Sequence, residues 1–117
     1  MARYTCSYLV KVSLEEIQPL ISNILQSCHF EVIYQSLDYM MAKEIPGEVN
    51  FSKLSGVEVL IDNTTAKENE ITVTLVVKSD ELPLQVKNHC HQKYDQVQEA
   101  INKDYREQFI ESVIKEF

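Results

Sequence analysis

The residues with the greatest chemical potential lie close together in the segment 88–91, Asn-His-Cys-His. If Asn88 caps a helix there, Cys90 falls in the first turn, where the helix dipole lowers a thiol pKa and favours a nucleophilic thiolate. Cys90 also shares a helical stripe with Tyr94 and Val97, where a thiol packs as a small inert hydrophobe. We therefore predict a structural cysteine, and a reactive thiol served by a neighbouring histidine is the alternative.

His89 and His91 are also candidate metal ligands, together with Cys90 or with Cys28 and His29. Residues two apart on a helix point about 200° away from each other, so both histidines could bind one ion only on non-helical backbone. The sequence contains neither Cys-x-x-Cys nor helical His-x-x-x-His spacing. We expect solvated histidines, no metal and no cofactor.

Other patterns that carry catalysis are missing from the sequence. Its two glycines, Gly47 and Gly56, form no glycine-rich loop for phosphate, and no Gly-x-Ser-x-Gly elbow exposes a serine. Neighbouring carboxylates, as at Glu15 and Glu16, are typical of a solvated helix start rather than of a pocket that raises a pKa. We therefore predict that the protein is not an enzyme.

Composition and charge restrict the class of protein further. The 117 residues are 44% hydrophobic and 25% charged, which is typical of a single globular domain over residues 1–117. A net charge of −7 disfavours nucleic acids and anionic membrane surfaces as partners. Three cysteines without paired spacing, no signal peptide and no long apolar run predict a cytoplasmic protein.

Hydrophobic periodicity predicts the elements that position these residues. A strand alternates from Arg3 to Val12, a helix with one apolar stripe begins at Ser13, and the end of the chain is helical from about 86 to 117. The apolar phase of that last segment shifts near 103–105, so it is either one bent helix or two. Between the helices, period-two patterns predict strands at 30–35, 39–45, 57–62 and 71–78.

The resulting order, β-α-β-β-β-β-α, belongs to the α+β class. Sequential hairpins pair as neighbours and the first strand pairs with the last, which predicts a curved five-stranded antiparallel sheet in the order 2-3-4-5-1 with the helices on one face. This element order resembles the helix-grip and TATA-binding-protein-like architectures. The resemblance implies a fold and no function.

Three stretches also resemble a family of short uncharacterised proteins from cyanobacteria. They are Ser-Cys-His-Phe-Glu-Val-Ile-Tyr at 27–34, Val-Glu-Val-Leu-Ile-Asp at 57–62 and Glu-Leu-Pro-Leu-Gln-Val-Lys-Asn-His-Cys at 81–90. The resemblance implies a cytoplasmic protein of a photosynthetic bacterium. Because it brings no assigned activity, it transfers no functional residue to this chain.

The sheet face turned away from the helices is the candidate interaction surface. Strand alternation places small hydroxyl and aliphatic side chains there, with either Met40 or Met41. Such a half-polar face suits a partner protein or a second copy, although a solvated sheet with ordinary surface threonines shows the same pattern. We predict a protein-interaction module of unknown partner that self-associates as a dimer. Its predicted contact residues are Leu9, Leu60, Thr72, Thr74 and Val76.

The apolar residues of the C-terminal segment, from Phe109 to Phe117, are a second candidate for self-association. A small apolar-ligand carrier of helix-grip type is the alternative function. Its pocket would lie between helix and sheet and would be lined by Tyr4, Tyr8, Tyr39 and Tyr94. About five strands leave little room under a helix, so these rings are expected to be core rather than pocket lining.

Overall fold

The computed structural model describes residues 2–47, 54–67, 70–79, 89–105 and 109–113. The elements are β1 (Ala2–Val10), α1 (Leu14–Ser27), β2 (Phe30–Gln35), β3 (Tyr39–Glu44), β4 (Gly56–Lys67), β5 (Glu70–Ser79), α2 (His89–Asp104) and β6 (Phe109–Val113). The sheet has the order β2-β3-β4-β5-β1-β6, and every neighbouring pair is antiparallel. The predicted α+β class and the predicted order 2-3-4-5-1 are confirmed.

The core lies between the two helices and one face of the sheet. On β1 and β5, alternate residues are buried against the helices, as strand periodicity predicts. The helices contribute the apolar stripes that a period of 3.6 residues predicts. Each large aliphatic side chain removed from water contributes about 1.5–3 kcal/mol of hydrophobic stabilisation. The core residues of these elements include Cys6, Tyr8, Val10, Ile71, Val73, Leu75 and Val77 from the strands and Ile17, Ile21, Leu25, Cys90, Val97 and Ile101 from the helices.

The C-terminal end of α1 is hydrogen-bonded to α2. His29 adopts a left-handed conformation with φ of 65° directly after the helix, and its N–H donates to the Gln26 carbonyl at 3.1 Å. The buried Lys93 ammonium of α2 donates to the Cys28 carbonyl at 2.6 Å. A cation at this position complements the negative end of the α1 dipole and stabilises the end of the helix.

The predicted C-terminal helix over 86–117 is wrong in its second half. Helix α2 ends at Asp104, and Phe109–Val113 forms β6, which pairs with β1 from Val10 to Ser7. The apolar spacing of this segment is helical, but pairing with β1 satisfies backbone groups that would otherwise lie at a sheet edge. Residues 86–88, 106–108 and 114–117 of the predicted helix lie outside the described residues.

Candidate functional site

The sheet face opposite the helices brings the predicted interaction residues together. Leu9 pairs with Thr72 across β1 and β5, and Leu60 pairs with Thr74 across β4 and β5. Leu60 is 46% exposed, whereas Val76 is only 3% exposed although it lies outside the core cluster. Among the described residues, the helices pack against the other face, and we call this one the open face of the sheet. Exposed apolar surface on it lies towards β2, not at its centre.

A β-bulge in β2 adds apolar side chains to the open face. Val32 pairs with Ala42, but Tyr34 pairs with Met41, so Ile33 is an extra residue in the strand. Val32 and Gln35 both lie on the core-facing side, because their partners are the buried Ala42 and Met40. The two residues between them, Ile33 and Tyr34, therefore both lie on the open side. They are 48% and 55% exposed.

These residues form a continuous patch with their neighbours on β3 and β4. The Tyr34 and Tyr39 rings lie 5.9 Å apart, Tyr34 pairs with Met41, and Tyr39 pairs with Leu60. Met41 is thus the outward methionine, and Met40 lies in the core with no exposed surface. We call this set, Ile33, Tyr34, Tyr39, Met41 and Leu60, the apolar margin of the open face.

A polar network borders the apolar margin. Lys78 donates to Glu58 in an ion pair across β4 and β5. The hydrogen bond from Lys78 is the main reason that the pKa of Glu58 lies below its usual value, and the charge of Lys78, a bond from Tyr39 and the charge of Arg3 act in the same direction. Burial, followed by the Glu58 charge, raises the pKa of Tyr39. At neutral pH the apolar margin therefore includes the neutral phenol of Tyr39, and it lies beside the Glu58 carboxylate and two cations, Lys78 and Arg3.

The lowered pKa of Glu58 predicts a small pH-dependent contribution to stability. A carboxylate whose pKa is lowered in the folded state stabilises the fold at pH values above its ordinary pKa of 4.5. This stabilisation is lost as pH falls through the lowered pKa. Because the pair is partly exposed, Glu58→Gln should cost less than about 1 kcal/mol at pH 7, and the difference from wild type should be smaller at pH 3, below the ordinary value of 4.5. Urea unfolding at both pH values measures it.

The control for this prediction is a double-mutant cycle with Lys78→Met. If the ion pair carries the effect, Glu58→Gln in the Lys78→Met background should have a smaller cost at pH 7 than in the wild type. An equal cost at pH 7 and pH 3 would contradict the linkage between Glu58 protonation and stability.

Three of the four tyrosines predicted to line a pocket lie on the core side of the sheet. Tyr4 stacks on Tyr94 with ring centroids 5.5 Å apart, and the Tyr94 hydroxyl donates to the Thr5 carbonyl at 3.4 Å. Tyr8 is buried against the Phe109 ring at 5.4 Å. Tyr39 lies on the opposite face and cannot line the same cavity. The core-side rings pack against one another and against Phe109.

The residues of the 89–91 cluster point to different surroundings. Cys90 is fully buried in the core, and Asn88, its predicted cap, lies outside the described residues. His91 contacts the Tyr4 ring at 4.9 Å, and its Nδ1 lies 3.2 Å from an Asp95 carboxylate oxygen. The three side chains therefore do not converge on one reactive centre.

The prediction that His89 is solvated is wrong. Its Nε2 lies 2.7 and 2.8 Å from the two carboxylate oxygens of Glu44, whose side chain is 1% exposed. The Ser55 N–H donates to the same carboxylate at 3.0 Å. A buried carboxylate requires such partners, so His89 turns inward to supply one.

Three buried polar residues were not predicted from the sequence: Glu44, Ser55 and Lys93. One signal was available: the alternation that places Met40 and Ala42 in the core also places Glu44 there. The positions of the other two follow only from tertiary contacts. Glu44 of β3 bonds to Ser55, next to β4, and to His89 of α2, so this buried carboxylate joins three parts of the fold.

Comparisons with known proteins give no relative for this chain. No protein-family model, curated protein or solved structure matches it. The resemblances to a cyanobacterial family and to helix-grip folds therefore stay predictions. Within the described residues, no three His, Cys, Asp or Glu side chains group as they would around a metal ion. No helix in the described part of the chain is long and apolar enough to cross a membrane.

Proposed function

We propose that this protein is a non-enzymatic interaction module that self-associates as a homodimer through the open face of its sheet. The observation that carries the proposal is the apolar margin, where Ile33, Tyr34 and Leu60 are each about half exposed. Leu37, 73% exposed, lies beside it in the β2–β3 turn. Grouped apolar side chains of this kind on a surface are typical of protein contacts.

The charges of the open face favour a second copy as the occupant. Two chains with a net charge of −7 repel each other unless the contact surface carries both signs. Across the open face, Arg3 and Lys78 stand beside Glu58, and Lys43 pairs in register with Glu31. Interleaved charges allow a two-fold contact to place cations opposite anions. A cytoplasmic location is part of the proposal, supported by three cysteines that are thiols rather than disulfides.

Leu60→Glu tests the proposal because Leu60 is the exposed aliphatic residue of β4 within the margin. Burying an unpaired carboxylate in the dimer interface should weaken association at least about tenfold without unfolding the chain. Sedimentation-equilibrium centrifugation over a concentration series measures the dissociation constant, and circular dichroism reports the fold.

Asn23→Glu is the matched control, since it adds the same charge at an exposed position on α1, on the opposite side of the molecule. We expect this variant to dimerise like the wild type. A wild-type chain that stays monomeric at several hundred micromolar would overturn the proposed function, as would equal dissociation constants for the two variants.

The small-ligand carrier ranks second. Its predicted lining is divided between two faces, and Tyr4 and Tyr94 are in ring-to-ring contact, which leaves no room for a ligand between them. Native mass spectrometry of untagged protein separates the two functions. A dimer of unmodified mass supports the interaction module, whereas a monomer with added mass that organic solvent removes would support the carrier.

A further inference from the structure

The free edge of β2 offers backbone groups for another strand. The Ile45 N–H donates to the His29 carbonyl, so in the alternation of an antiparallel pair Glu31 also directs its backbone groups towards β3. Phe30 and Val32 therefore direct their N–H and C=O groups to the other side. In the sheet formed by the described residues, β2 is terminal, and no strand occupies that side.

A second copy of this chain is a poor partner for this edge. The two-fold antiparallel register that bonds Phe30 to Val32 of the other copy places the two Glu31 carboxylates directly opposite each other. Like charges in this position destabilise strand pairing. The bulge at Ile33 shifts the backbone phase after Val32, so other two-fold registers leave outward groups unmatched. These two features are the usual protections of an exposed edge against self-pairing.

The same features favour a strand of a different chain with the opposite charge. Glu31 is exposed and forms no ion pair with Lys43 or with another described residue, so its carboxylate is available for a cation. The whole chain is acidic, with a net charge of −7, which attracts a basic segment at long range. Beyond Glu31, the exposed Ile33 and Tyr34 side chains offer apolar contact on the open side.

We propose that the β2 edge binds an extended basic segment of a different protein by strand addition. The segment bonds to the backbone of Phe30 and Val32, places a Lys or Arg opposite Glu31, and sets an apolar residue against Ile33 and Tyr34. This interaction goes beyond self-association because it uses the backbone groups of the sheet edge, although its apolar contact shares Ile33 and Tyr34 with the apolar margin. The peptide is therefore tested at protein concentrations too low for dimerisation, where its binding does not depend on the dimer.

The test uses two blocked eight-residue peptides that differ at one position, which carries lysine in one peptide and glutamate in the other, with valine two residues further on the same face. We expect the lysine peptide to bind at least about tenfold more tightly, and its affinity to fall with added salt. The amide shifts in ¹H–¹⁵N NMR spectra should be confined to β2 and its neighbour β3. Equal affinity of the two peptides, or shifts confined to β6 or the helices, would overturn the proposal.

Two variants test the register. Glu31→Lys should reverse the preference so that the glutamate peptide binds more tightly, and this variant leaves every described backbone bond in place.

Val32→Pro removes an N–H that faces the free edge, so binding should weaken at least about tenfold while the β2–β3 pairing remains. If Val32→Pro fails to fold, Glu31→Lys alone decides. An unchanged peptide preference in Glu31→Lys would overturn the proposal, and Leu60→Glu, which acts on the dimer, should bind peptide normally.

Discussion

His89→Leu should lower the free energy of unfolding by about 3–5 kcal/mol, because it removes the side-chain partner of the buried Glu44 carboxylate. The Glu44 carboxylate is buried and accepts from His89 and from the Ser55 N–H. Without the imidazole, one backbone donor must satisfy a charged group that water does not reach. Urea unfolding at pH 7 measures the loss. For a domain with typical stability of about 5–15 kcal/mol, it is a large fraction of the total.

His91→Leu is the matched control, because its imidazole and the Asp95 carboxylate it contacts are both more than a third exposed. Its cost should stay below about 1 kcal/mol. Adding Glu44→Gln to His89→Leu removes the buried charge while an amide oxygen still accepts from Ser55, so the double variant should be more stable than His89→Leu alone. Equal costs for His89→Leu and His91→Leu would show that the buried pair is not what stabilises this region.

Phe30→Ala should cost about 3–5 kcal/mol, the range for deleting a buried aromatic ring. Phe30 is 1% exposed at the start of β2, and the Lys93 ammonium lies 5.1 Å from its ring centroid. The variant leaves a cavity beneath α1, and Lys93 loses its cation–π contact with the ring. Among the described residues Lys93 has no carboxylate partner, so the ring is part of what makes its burial tolerable.

Tyr34→Ala is the control for this prediction, since it deletes an exposed aromatic ring from the same strand. At protein concentrations too low for dimerisation, Tyr34→Ala should lower the free energy of unfolding by less than about 1 kcal/mol. Phe30→Leu keeps most of the apolar volume but removes the ring, and its cost separates the contact with Lys93 from the cavity. If Phe30→Ala were as mild as Tyr34→Ala, the strand would not depend on this contact with α2.

The two helices and the five strands β1 to β5 could be predicted because each has a clear local period. Alternation along β1 and β5 identified the buried set, including Cys6 and Leu75, and the same rule identified Leu60 and Thr74 as outward residues. The order 2-3-4-5-1 then followed from hairpin connections and from pairing the first strand with the last. Apart from the pairing of the first strand with the last, these inferences needed neighbours only a few residues apart in the sequence.

The tertiary structure alone decided the features that depend on distant partners. Phe109–Val113 is a strand because the edge of β1 is available for pairing, although its apolar spacing is helical. The bulge at Ile33 depends on how β2 aligns with β3, and it places Tyr34 on the open face beside Ile33, where alternation alone would have turned Tyr34 to the core.

The contact between Glu44 and His89 shows the physical reason for this division. Strand alternation alone could place Glu44 on the core face, but its partner lies 45 residues later in the chain. Periodicity shows which side chains are removed from water, because hydrophobic burial is non-directional and follows the spacing of apolar residues. Which polar groups meet is decided by directional hydrogen bonds, and these form only after the strands and helices have docked.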